Sequence, residues 1–562
     1  MSILFLSLLT LAGIGVWLAC TIRRILRYLL YFQIEEYNTV RFLALLGRNI
    51  NRIFGPLEII PIAVLAVASA ALSLLLSPTW RVRAFVVLWC VWVAFHLALL
   101  WLRKPPATKK TLVLTPRATR LLATAIVLAL GLLLAVPWLA SGGLSVSQWA
   151  ARPWFLPVLA LWAMLIGRAI GLLLIAANGV MYPVEASFRQ YYVQSAQRVF
   201  RRHPALKVIA VTGSYGKTST KEIIAHVLAA RYRVLKTPRS FNTLMGICKV
   251  IREELTSAHE VFVVEMGTYK KGEIDRLCWL TPPHIGVLTA IGPQHLERFK
   301  TVDRVAEAKY ELMEHLPAEG VGIFNADDPW CQTLATRPAS FRVLRYGLAQ
   351  PDGPVDVRAA GITITGKGTE FDVSATEQPP VHFSTALLGR HNVSNILAAT
   401  GVALQCGLTL EEIARAVATL QPVEHRLQRI NGQGGVVVID DAYNSNPAGV
   451  RMALDVLAAL PGGRKVLVTP GMVELGDREE QEHRQMGILA AHVCDFVILV
   501  GAKRTQAIAD GLKEKGFPPE RILIVPDLAG ATRQLQMVVR PGDVVLFEND
   551  LPDTYDLDAI YF

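Results

Sequence analysis

The sequence of 562 residues has no pair of cysteines separated by two residues, although it contains seven cysteines. Zinc ribbons and dithiol redox centres use such closely spaced cysteines, so neither is expected here. The scattered cysteines are typical of a chain whose thiols stay reduced, as in the cytosol. The first apolar segment also lacks the basic start and the cleavage site of a signal peptide. We therefore expect this segment to be retained as a helix.

Long apolar runs dominate the first third of the chain, whereas the remainder has the mixed composition of a soluble α/β protein. A helix that spans a bilayer needs about 20 apolar residues. Five segments reach this length and predict a membrane α-helical region of about five spans within residues 1–190. They are residues 2–20, 58–79, 84–102, 121–140 and 154–180.

The positive charges predict an orientation for these spans. The formal net charge is +11, and two of the predicted loops, residues 21–56 and 103–120, hold six arginines or lysines each. The loops on the other side hold only Arg81, Arg83 and Arg152. Because basic loops stay on the cytoplasmic side, the residues after Met181 are expected in the cytoplasm, where ATP is available. The sequence therefore predicts a multi-pass protein of the cytoplasmic membrane.

Two features of the apolar third each leave two interpretations open. Residues 28–55 mix apolar and charged side chains, which favours an amphipathic helix on the inner leaflet or a soluble linker helix. Arg168 lies within the fifth predicted span, where an unpaired charge costs about 3 kcal/mol. Such a side chain either pairs inside the protein or holds a ligand such as a lipid phosphate.

The stretch VIAVTGSYGKTSTK at residues 208–221 combines a β-branched run with two glycines and a Lys-Thr pair. It predicts a strand at 208–212, a tight turn, and a helix over 217–230. Backbone amides of such a turn and the helix N-terminus hold phosphates, while the lysine reaches the outer phosphates and the threonine binds Mg²⁺. A glycine turn without a ligand is the alternative. The predicted nucleotide-binding residues are Gly213, Ser214, Tyr215, Gly216, Lys217, Thr218 and Ser219.

The part after residue 190 alternates between strand and helix patterns. Further strands are predicted at 261–265, 285–289 and 321–325, then short β segments over 342–386, and a second alternating series begins at 436–440. This order predicts largely parallel sheets with helices on both faces. We expect a central ATP-binding domain at 191–425 with a phosphate loop, and a Rossmann-like α/β domain at 426–562.

Eight segments spread over residues 207–547 resemble the Mur ligases, ATP-dependent amide-forming enzymes of cell-wall synthesis. The similarity is greatest to the MurF branch, which joins D-alanyl-D-alanine to a UDP-linked tripeptide. The segments are TGSYGKTS, Phe241-Asn242-Thr243 with Gly246-Ile247, VVEMG with Gly272-Glu273-Ile274, GPQHLERF, AKYE, LLGRHNVSN, DDAYNSNP and PGMVELG.

The resemblance implies a peptidoglycan ligase that uses ATP and Mg²⁺. In this chemistry the ATP γ-phosphoryl group converts a carboxylate into an acyl phosphate, which an amine then attacks. The implied catalytic residues are Lys217, Lys309, His295 and Glu265. The implied metal ligands are Thr218, Glu265, His295 and Lys309, the last as a carbamate formed with CO₂.

The resemblance also implies further binding residues, each with a structural alternative. Those for the nucleotide are Asn325, His391, Asn392, Asn395, Arg426 and Asp441, and those for the substrate are Asn242, Thr243, Tyr443, Asn444 and Asn446. Helix capping by Asn392, an Asx turn at Asn325 and Asp328, and a plain strand-to-helix turn around Asn446 would use the same residue types. Glu474 is either a cleft residue or a surface carboxylate.

Two departures from the family leave both substrates open. Predicted spans stand where soluble members have a UDP-binding domain, and the last strand ends Phe547-Glu548-Asn549 where MurF-like chains have Lys-Gly-Ser. Glu548 belongs to a run of acidic residues that is either a solvated tail or a seat for the amine. The leading hypothesis is a membrane-anchored ligase whose partners are membrane lipid, an envelope precursor with a free carboxylate, and an amino-acid or dipeptide amine, without nucleic acid. MurF proper and a non-catalytic nucleotide-binding scaffold are the alternatives.

Overall fold

The computed structural model describes residues 3–53, 56–102, 111–140, 155–238, 241–293, 296–348, 355–365, 368–376, 378–422, 424–442, 445–473 and 475–550. The chain divides into two compact units, and the boundary lies between Phe188 and Arg189. The helices of the first unit are α1 (Ile3–Ile34), α2 (Thr39–Arg48), α3 (Ile50–Ile53), α4 (Pro56–Leu75), α5 (Pro78–Leu102), α6 (Pro116–Ala140) and α7 (Phe155–Arg168). Helix α8 (Ile170–Phe200) begins in this unit and continues past the boundary.

Within the described residues, four helical segments are long and apolar enough to cross a membrane. They are Leu8–Ile34, Trp80–Ala98, Pro116–Ala135 and Ile170–Phe200, and two shorter apolar segments are Ile60–Leu72 and Leu156–Arg168. The predicted number of about five spans is therefore not confirmed. The predicted span at 154–180 is divided at Ala169 between α7 and α8, a break that an apolar composition does not reveal.

The prediction of one amphipathic or linker helix over 28–55 was wrong in its bounds. Helix α1 continues to Ile34, and Glu36 and Tyr37 then take positive φ angles of 55° and 59°. Asn38 starts α2 by accepting hydrogen bonds from the backbone amides of Val40 and Arg41. Phe42 of α2 is fully buried among apolar side chains of α1, so this segment packs within the unit.

The second unit begins with a nine-stranded sheet in the order β2-β3-β1-β4-β5-β6-β7-β8-β9. Its strands are β1 (Lys207–Thr212), β2 (Val234–Lys236), β3 (Val261–Glu265), β4 (Ile285–Leu288), β5 (Val321–Asn325), β6 (Arg342–Gly347), β7 (Val357–Thr365), β8 (Gly368–Ala375) and β9 (Val381–Thr385). Pairings from β2 to β7 are parallel, and β8 is antiparallel to both neighbours. Every residue of the apolar strands β3, β4 and β5 is buried, because helices cover both faces.

The helices of this region are α9 (Lys217–Leu228), α10 (Leu244–Glu253), α11 (Glu273–Leu280), α12 (Leu296–Phe299), α13 (Val302–Glu314), α14 (Pro329–Leu334), α15 (Arg390–Gln405) and α16 (Leu410–Val417). Helix α9 ends two residues before the predicted end. The β segments predicted at 342–386 correspond to β6 through β9. The parallel-rich sheet expected from the strand–helix alternation is confirmed.

A six-stranded sheet follows in the order β10-β11-β15-β12-β13-β14. Its strands are β10 (Gln428–Asn431), β11 (Val437–Asp441), β12 (Lys465–Thr469), β13 (Phe496–Val500), β14 (Ile522–Val525) and β15 (Val544–Glu548). Only β10 is antiparallel to its neighbour. Helices α17 (Pro447–Ala459), α18 (Glu479–Val493), α19 (Ala502–Glu514) and α20 (Leu528–Val538) connect the parallel strands.

Parallel pairing brings the carboxyl ends of the strands to one edge of each sheet. In the first sheet, Val211 pairs with Glu265 and Thr212 pairs with Leu288. The loop after β1 therefore lies between the ends of β3 and β4. Ligands of such sheets bind at this edge, so the polar residues that follow these strands are the candidates for a site.

Candidate active site

The loop at residues 213–219 is held in a strained turn between β1 and α9. Gly213 has φ 154°, and a Cβ atom there would lie 2.0 Å from Thr289 Oγ1. Gly216 has φ 78° and is the N-cap of α9 without a side-chain capping bond. The Ser214 hydroxyl donates to the Gly292 carbonyl at 3.2 Å, and the Thr289 hydroxyl donates to the Tyr215 carbonyl. Both glycines are thus required by the backbone, and β4 and the segment that follows it fix the loop.

Two lysines donate to the same backbone carbonyl in this loop. Lys217 Nζ lies 2.7 Å and Lys309 Nζ lies 2.8 Å from the Gly213 oxygen. Lys309 projects from α13 and is only 2% exposed. The side chains of Lys217 and Lys309 therefore meet at the loop that follows β1.

Burial lowers the pKa values of both lysines. The pKa of Lys217 falls to about 8, mainly by burial, while the nearby Glu265 opposes the fall and Arg426 adds to it. The pKa of Lys309 lies well below its ordinary value because of burial and then the charge of Lys217. A lysine with a lowered pKa holds more of the neutral amine, which is the form that reacts with CO₂.

Glu265 ends β3 beside this pair and is 1% exposed. Its Oε1 accepts a hydrogen bond from Asn242 Nδ2 at 3.0 Å, and its Oε2 lies 3.6 Å from Lys221 Nζ. Lys221 is fully buried and also pairs with Glu222 at 3.1 Å. Asn242, predicted to bind substrate, orients the carboxylate of Glu265 in this structure, and the adjacent Thr243 caps α10.

The residues around Glu265 suit one magnesium ion. Glu265 Oε2 is buried, and the described residues provide no hydrogen-bond donor to it. Thr218, which is 8% exposed, stands in the first turn of α9. A carboxylate and a hydroxyl are ligands that Mg²⁺ prefers. In the described part of the chain, no three His, Cys, Asp or Glu residues form a metal cluster, and His295 lies outside the described residues.

A cavity of about 260 Å³ brings together three of the predicted nucleotide-binding residues, Ser219, Asn392 and Arg426. Glu222 and Lys236, which form an ion pair, also line it, and neither was singled out from the sequence. The cavity joins the start of α9 to the start of α15. It provides a place for the base and sugar of a nucleotide whose phosphates would lie on the loop.

Asn395 supports the loop through side-chain contacts. Its Oδ1 accepts a hydrogen bond from the Thr220 hydroxyl at 3.0 Å and lies close to Gly216, where a Cβ atom would approach it to 2.8 Å. Asn392 Nδ2 donates to the Leu388 carbonyl at 2.8 Å. The N-cap of α15 is Gly389, so the alternative in which Asn392 caps the helix was wrong.

His391 stands at the start of α15, and its Nδ1 atom is buried. Burial lowers the pKa of His391 to about 4, so its imidazole is neutral at physiological pH. A neutral imidazole can donate or accept one hydrogen bond at each ring nitrogen, depending on its tautomer. This suits a base or sugar better than a phosphate.

Asn325 and Asp328 have the structural role that the sequence allowed as an alternative. Asn325 Nδ2 donates to the Thr289 carbonyl at 2.8 Å, and its Oδ1 accepts from the Asp327 amide at 2.9 Å, which is an Asx turn. Asp328 caps α14 and accepts a hydrogen bond from the Ile291 amide at 3.2 Å. Both residues hold the segment after β4 that in turn fixes the loop.

The carboxyl edge of the second sheet holds a pair of acidic residues. Asp441 and Glu548 are paired across β11 and β15, and Glu548 is 1% exposed. Glu548 Oε1 accepts a hydrogen bond from the Ser445 hydroxyl at 2.6 Å. Burial and then the charge of Asp441 raise the pKa of Glu548, and burial also raises the pKa of Asp441. Glu548 is therefore part of the last strand and not of a solvated tail.

Of the other predicted residues of this domain, one has a structural role and three lie outside the described residues. Asn446 caps α17 by accepting a hydrogen bond from the Gly449 amide at 2.9 Å, so the strand-to-helix turn expected as the alternative is present. Tyr443, Asn444 and Glu474 lie outside the described residues.

Lys221 was missed as part of these sites, and the contacts of Thr289 and Glu548 were not predicted. A signal for Lys221 was its position one helical turn after Lys217, which places both lysines on one side of α9. Thr289 had a weaker signal, since it directly follows a buried strand. The contact of Glu548 with Ser445 joins residues about a hundred positions apart, and no local pattern indicates it.

Two family models match the second unit. The Mur ligase middle domain matches residues 211–403, and the Mur ligase glutamate ligase domain matches residues 425–548. The chain is 32% identical over 358 residues to UDP-N-acetylmuramoyl-tripeptide–D-alanyl-D-alanine ligase of Bacillus subtilis, covering 63% of this chain and 76% of the relative. It is 34% identical over 342 residues to the Escherichia coli ligase of that name, covering 59% and 74%.

Solved structures with the same arrangement include two bacterial enzymes. MurF from Acinetobacter baumannii superposes with a TM-score of 0.58 at 28% identity, over 66% of this chain and 79% of that chain. MurF ligase from Thermotoga maritima in complex with ADP superposes with a TM-score of 0.58 at 26% identity, over 66% and 81%.

Proposed function

The chain belongs to the Mur ligase family of ATP-dependent peptide ligases, and on that premise we propose that it is a membrane-anchored ligase of cell-envelope synthesis. It joins the carboxylate of a peptidoglycan precursor to the amine of an amino acid or dipeptide through an acyl phosphate. The observation that carries the proposal is the convergence of Lys217 and Lys309 on the Gly213 carbonyl, with Glu265 close to both.

ATP binds with its phosphates on the loop at 213–219 and its base and sugar in the cavity lined by Ser219, Asn392 and Arg426. The Thermotoga maritima relative was solved in complex with ADP, which supports binding of an adenine nucleotide. His391 and Asn395 complete the nucleotide site from α15, while Asn325 supports the loop from β5. Asp441 is included in the nucleotide site because Arg426, which lines the cavity, acts electrostatically on both Asp441 and Lys217.

Mur ligases use Mg²⁺, which neutralises phosphate charge when bound. Thr218 and Glu265 would hold one ion, and His295 with a carbamate on Lys309 would hold a second. Asn242 positions Glu265 by donating to its Oε1. Lys217 stabilises negative charge on the transferred phosphoryl group, which is the main demand of this chemistry.

In this proposal the chain has a membrane region at residues 1–190, a central domain at 191–425 and a last domain at 426–562. Each proposed domain has its own sheet, formed by β1 to β9 and β10 to β15. Tyr443, Asn444 and Asn446 of the last domain, with Thr243 of the central domain, contact the substrates. Asn446 would do so in addition to capping α17.

The first unit anchors the enzyme in the cytoplasmic membrane with its catalytic domains in the cytoplasm. Large apolar side chains on its helices are exposed, including Val67 at 69%, Val127 at 68% and Leu172 at 60%. Such a surface is costly in water and favourable in lipid. The asymmetry of Arg and Lys between the loops supports the orientation.

Two alternative functions must be distinguished from the proposed one. The relatives are named for adding D-alanyl-D-alanine to a UDP-linked tripeptide, and the chain as MurF proper would use the same pair of substrates. A non-catalytic scaffold would bind the nucleotide without turnover, but it would have no need for Lys309 and Glu265 beside the phosphate loop.

Phosphate release by the purified full-length protein in detergent tests the proposal. Acceptors are the tripeptide on a UDP carrier and on a lipid carrier, each assayed with and without D-alanyl-D-alanine. Release that requires both an acceptor and an amine, and that is lost in Lys217→Ala, supports the ligase. Preference for the UDP carrier would establish MurF proper, and ATP binding without release would favour the scaffold.

A further inference from the structure

The cavity of about 260 Å³ beside α9 has one carboxylate among the described residues that line it, that of Glu222. The basic side chains of its lining include Lys236 and Arg426. Lysine and arginine side chains only donate hydrogen bonds, whereas a carboxylate only accepts them. Glu222 is therefore the group in this lining that favours a ligand with hydrogen-bond donors.

Two lysines hold this carboxylate in place. Glu222 Oε1 lies 3.1 Å from Lys221 Nζ, and Glu222 Oε2 forms an ion pair with Lys236. Lys221 is fully buried, while the side chain of Glu222 is 23% exposed. Each carboxylate oxygen has two lone pairs, so both oxygens can accept a further hydrogen bond from a ligand in the cavity. The two ion pairs thus fix the orientation of the carboxylate without using all of its acceptor positions.

The order of residues along α9 places Glu222 where the sugar of a bound nucleotide would lie. Ser219 belongs to the phosphate loop, Glu222 follows about 4.5 Å further along the helix axis, and His226 lies about 6 Å beyond Glu222. Spacings of three and four residues keep all three side chains on one side of the helix, toward the cavity. In a nucleotide the ribose joins the phosphates to the base, so the ribose is the part next to Ser219. The apolar side chains of Leu387 and Leu420 then provide a surface for the base.

We propose that Glu222 makes this site specific for a ribonucleotide by accepting hydrogen bonds from the 2′- and 3′-hydroxyl groups of the ribose. The two oxygens of a carboxylate match two neighbouring hydroxyl groups, and hydrogen bonds to a charged acceptor are strong. An acidic side chain binds the ribose in the same chemical way in dinucleotide-binding domains. The inference rests on the proposed use of ATP, and it adds the residue that selects the sugar.

Calorimetric titration of the full-length protein in detergent and Mg²⁺ tests this role through binding alone. The ligands are ATP, 2′-deoxy-ATP and 3′-deoxy-ATP. The wild type should bind each deoxy nucleotide about tenfold more weakly than ATP, the effect of losing a hydrogen bond to a charged group. Glu222→Ala should bind all three nucleotides with similar Kd values. Glu253→Ala removes an exposed, ion-paired carboxylate outside the cavity lining and should keep the tenfold preference.

The ratio of Kd values separates sugar recognition from a purely structural role. If Glu222 only balanced the charges of Lys221 and Lys236, its loss would weaken the binding of all three nucleotides equally, and the preference would persist. Glu222→Gln is the second variant if Glu222→Ala does not elute as folded protein. Its neutral oxygen makes a bond about half as strong, so the preference should fall to about threefold.

Three results would overturn the inference. They are equal Kd values of the wild type for the three nucleotides, an undiminished preference in a folded Glu222 variant, and a Glu222-dependent preference for ATP over inosine triphosphate without one among the sugars. The last result would place the carboxylate at the base. Binding of ATP without discrimination would reject this inference alone, whereas failure of ATP to bind would also reject the proposed ligase.

Discussion

The two sheets of the second unit have the same design at their carboxyl edges but opposite charge. The edge of the nine-stranded sheet holds the buried or half-buried lysines Lys217, Lys221 and Lys309 beside the carboxylate of Glu265. The edge of the six-stranded sheet holds the acidic pair of Asp441 and Glu548. Parallel strands therefore supply only the position of a site, and the side chains at the strand ends select its ligand. The cationic edge suits phosphates, and the acidic edge suits an amine.

The largest effect is expected for a substitution of Lys309 at the carboxyl edge of the nine-stranded sheet. Lys309→Ala should lower turnover by at least about a hundredfold, because the negative charge of a carbamate at the second metal is lost. Nucleotide binding should be nearly unchanged, since the loop and Lys217 remain. Phosphate release and binding of a fluorescent ATP analogue measure the two effects. Lys249→Ala, which removes a lysine from the exposed face of α10, is the control.

Short carboxylates sharpen this test, because they can replace a missing carbamate. Partial recovery of phosphate release by formate or acetate in Lys309→Ala would support the carbamate. Wild-type activity in that variant would contradict a role for Lys309 at the metal site.

The next effect concerns the carboxylate within the cationic edge. Asn242→Ala removes the donor to Glu265 Oε1, so a higher Mg²⁺ concentration should be needed for half-maximal activity. We expect an increase of about tenfold, as for other lost supporting hydrogen bonds around metal ligands. Thr409→Ala is a control that lowers stability by about 1 kcal/mol through the lost cap of α16, away from the proposed site. An unchanged Mg²⁺ requirement in Asn242→Ala would contradict the positioning role.

The acidic edge gives a pH-dependent prediction. The pKa of Glu548 is raised in the folded protein, so its protonated form stabilises the fold below the ordinary pKa of glutamate, and this stability is lost as pH rises through the raised value. Glu548→Gln stays neutral and keeps an acceptor for Ser445. Its Tm should therefore exceed that of the wild type by about 2–4 °C at neutral and alkaline pH, with the difference shrinking in acid.

Thermal unfolding of both proteins between pH 4 and pH 9 measures this effect. Glu520→Gln, at an exposed carboxylate, should show no pH-dependent gain. A lower Tm for Glu548→Gln at pH 8 would mean that the carboxylate is charged and stabilised in the fold.

The smallest expected effect distinguishes a structural role of Asn446 from a role in binding the amine substrate. Asn446→Ala should cost about 1 kcal/mol of stability, because Asn446 caps α17. If Asn446 also contacts the amine substrate, as proposed, the KM for that substrate should rise severalfold while the KM for ATP stays unchanged. Asn446→Asp retains the cap and tests the contact alone. Equal KM values in all three proteins would leave Asn446 with the cap only.

The sequence predicted the strands and the loop of the second unit better than the side-chain contacts between them. Strands β1, β3, β4 and β5 and the loop at residues 213–219 follow from local β-branched and glycine patterns, so their places were predicted within two residues. The bond between Asn242 and Glu265 and the contact of Asn395 with the loop join distant segments, and they depend on tertiary packing. The break at Ala169 was missed, although Gly167, Arg168 and Gly171 interrupt the apolar run on either side of it. Glu548 was grouped with the acidic residues that follow it, although the β15 pairing buries it.

Transfer of oxygen from the acceptor to phosphate tests the central claim most directly. An acceptor whose carboxylate carries ¹⁸O attacks the ATP γ-phosphorus, ADP leaves, and the amine then displaces phosphate from the acyl carbon. The released phosphate retains one carboxylate oxygen. We predict one ¹⁸O atom per phosphate, with release that depends on the amine and on Lys217. Unlabelled phosphate, or release that continues without acceptor and amine, would contradict an acyl-phosphate ligase.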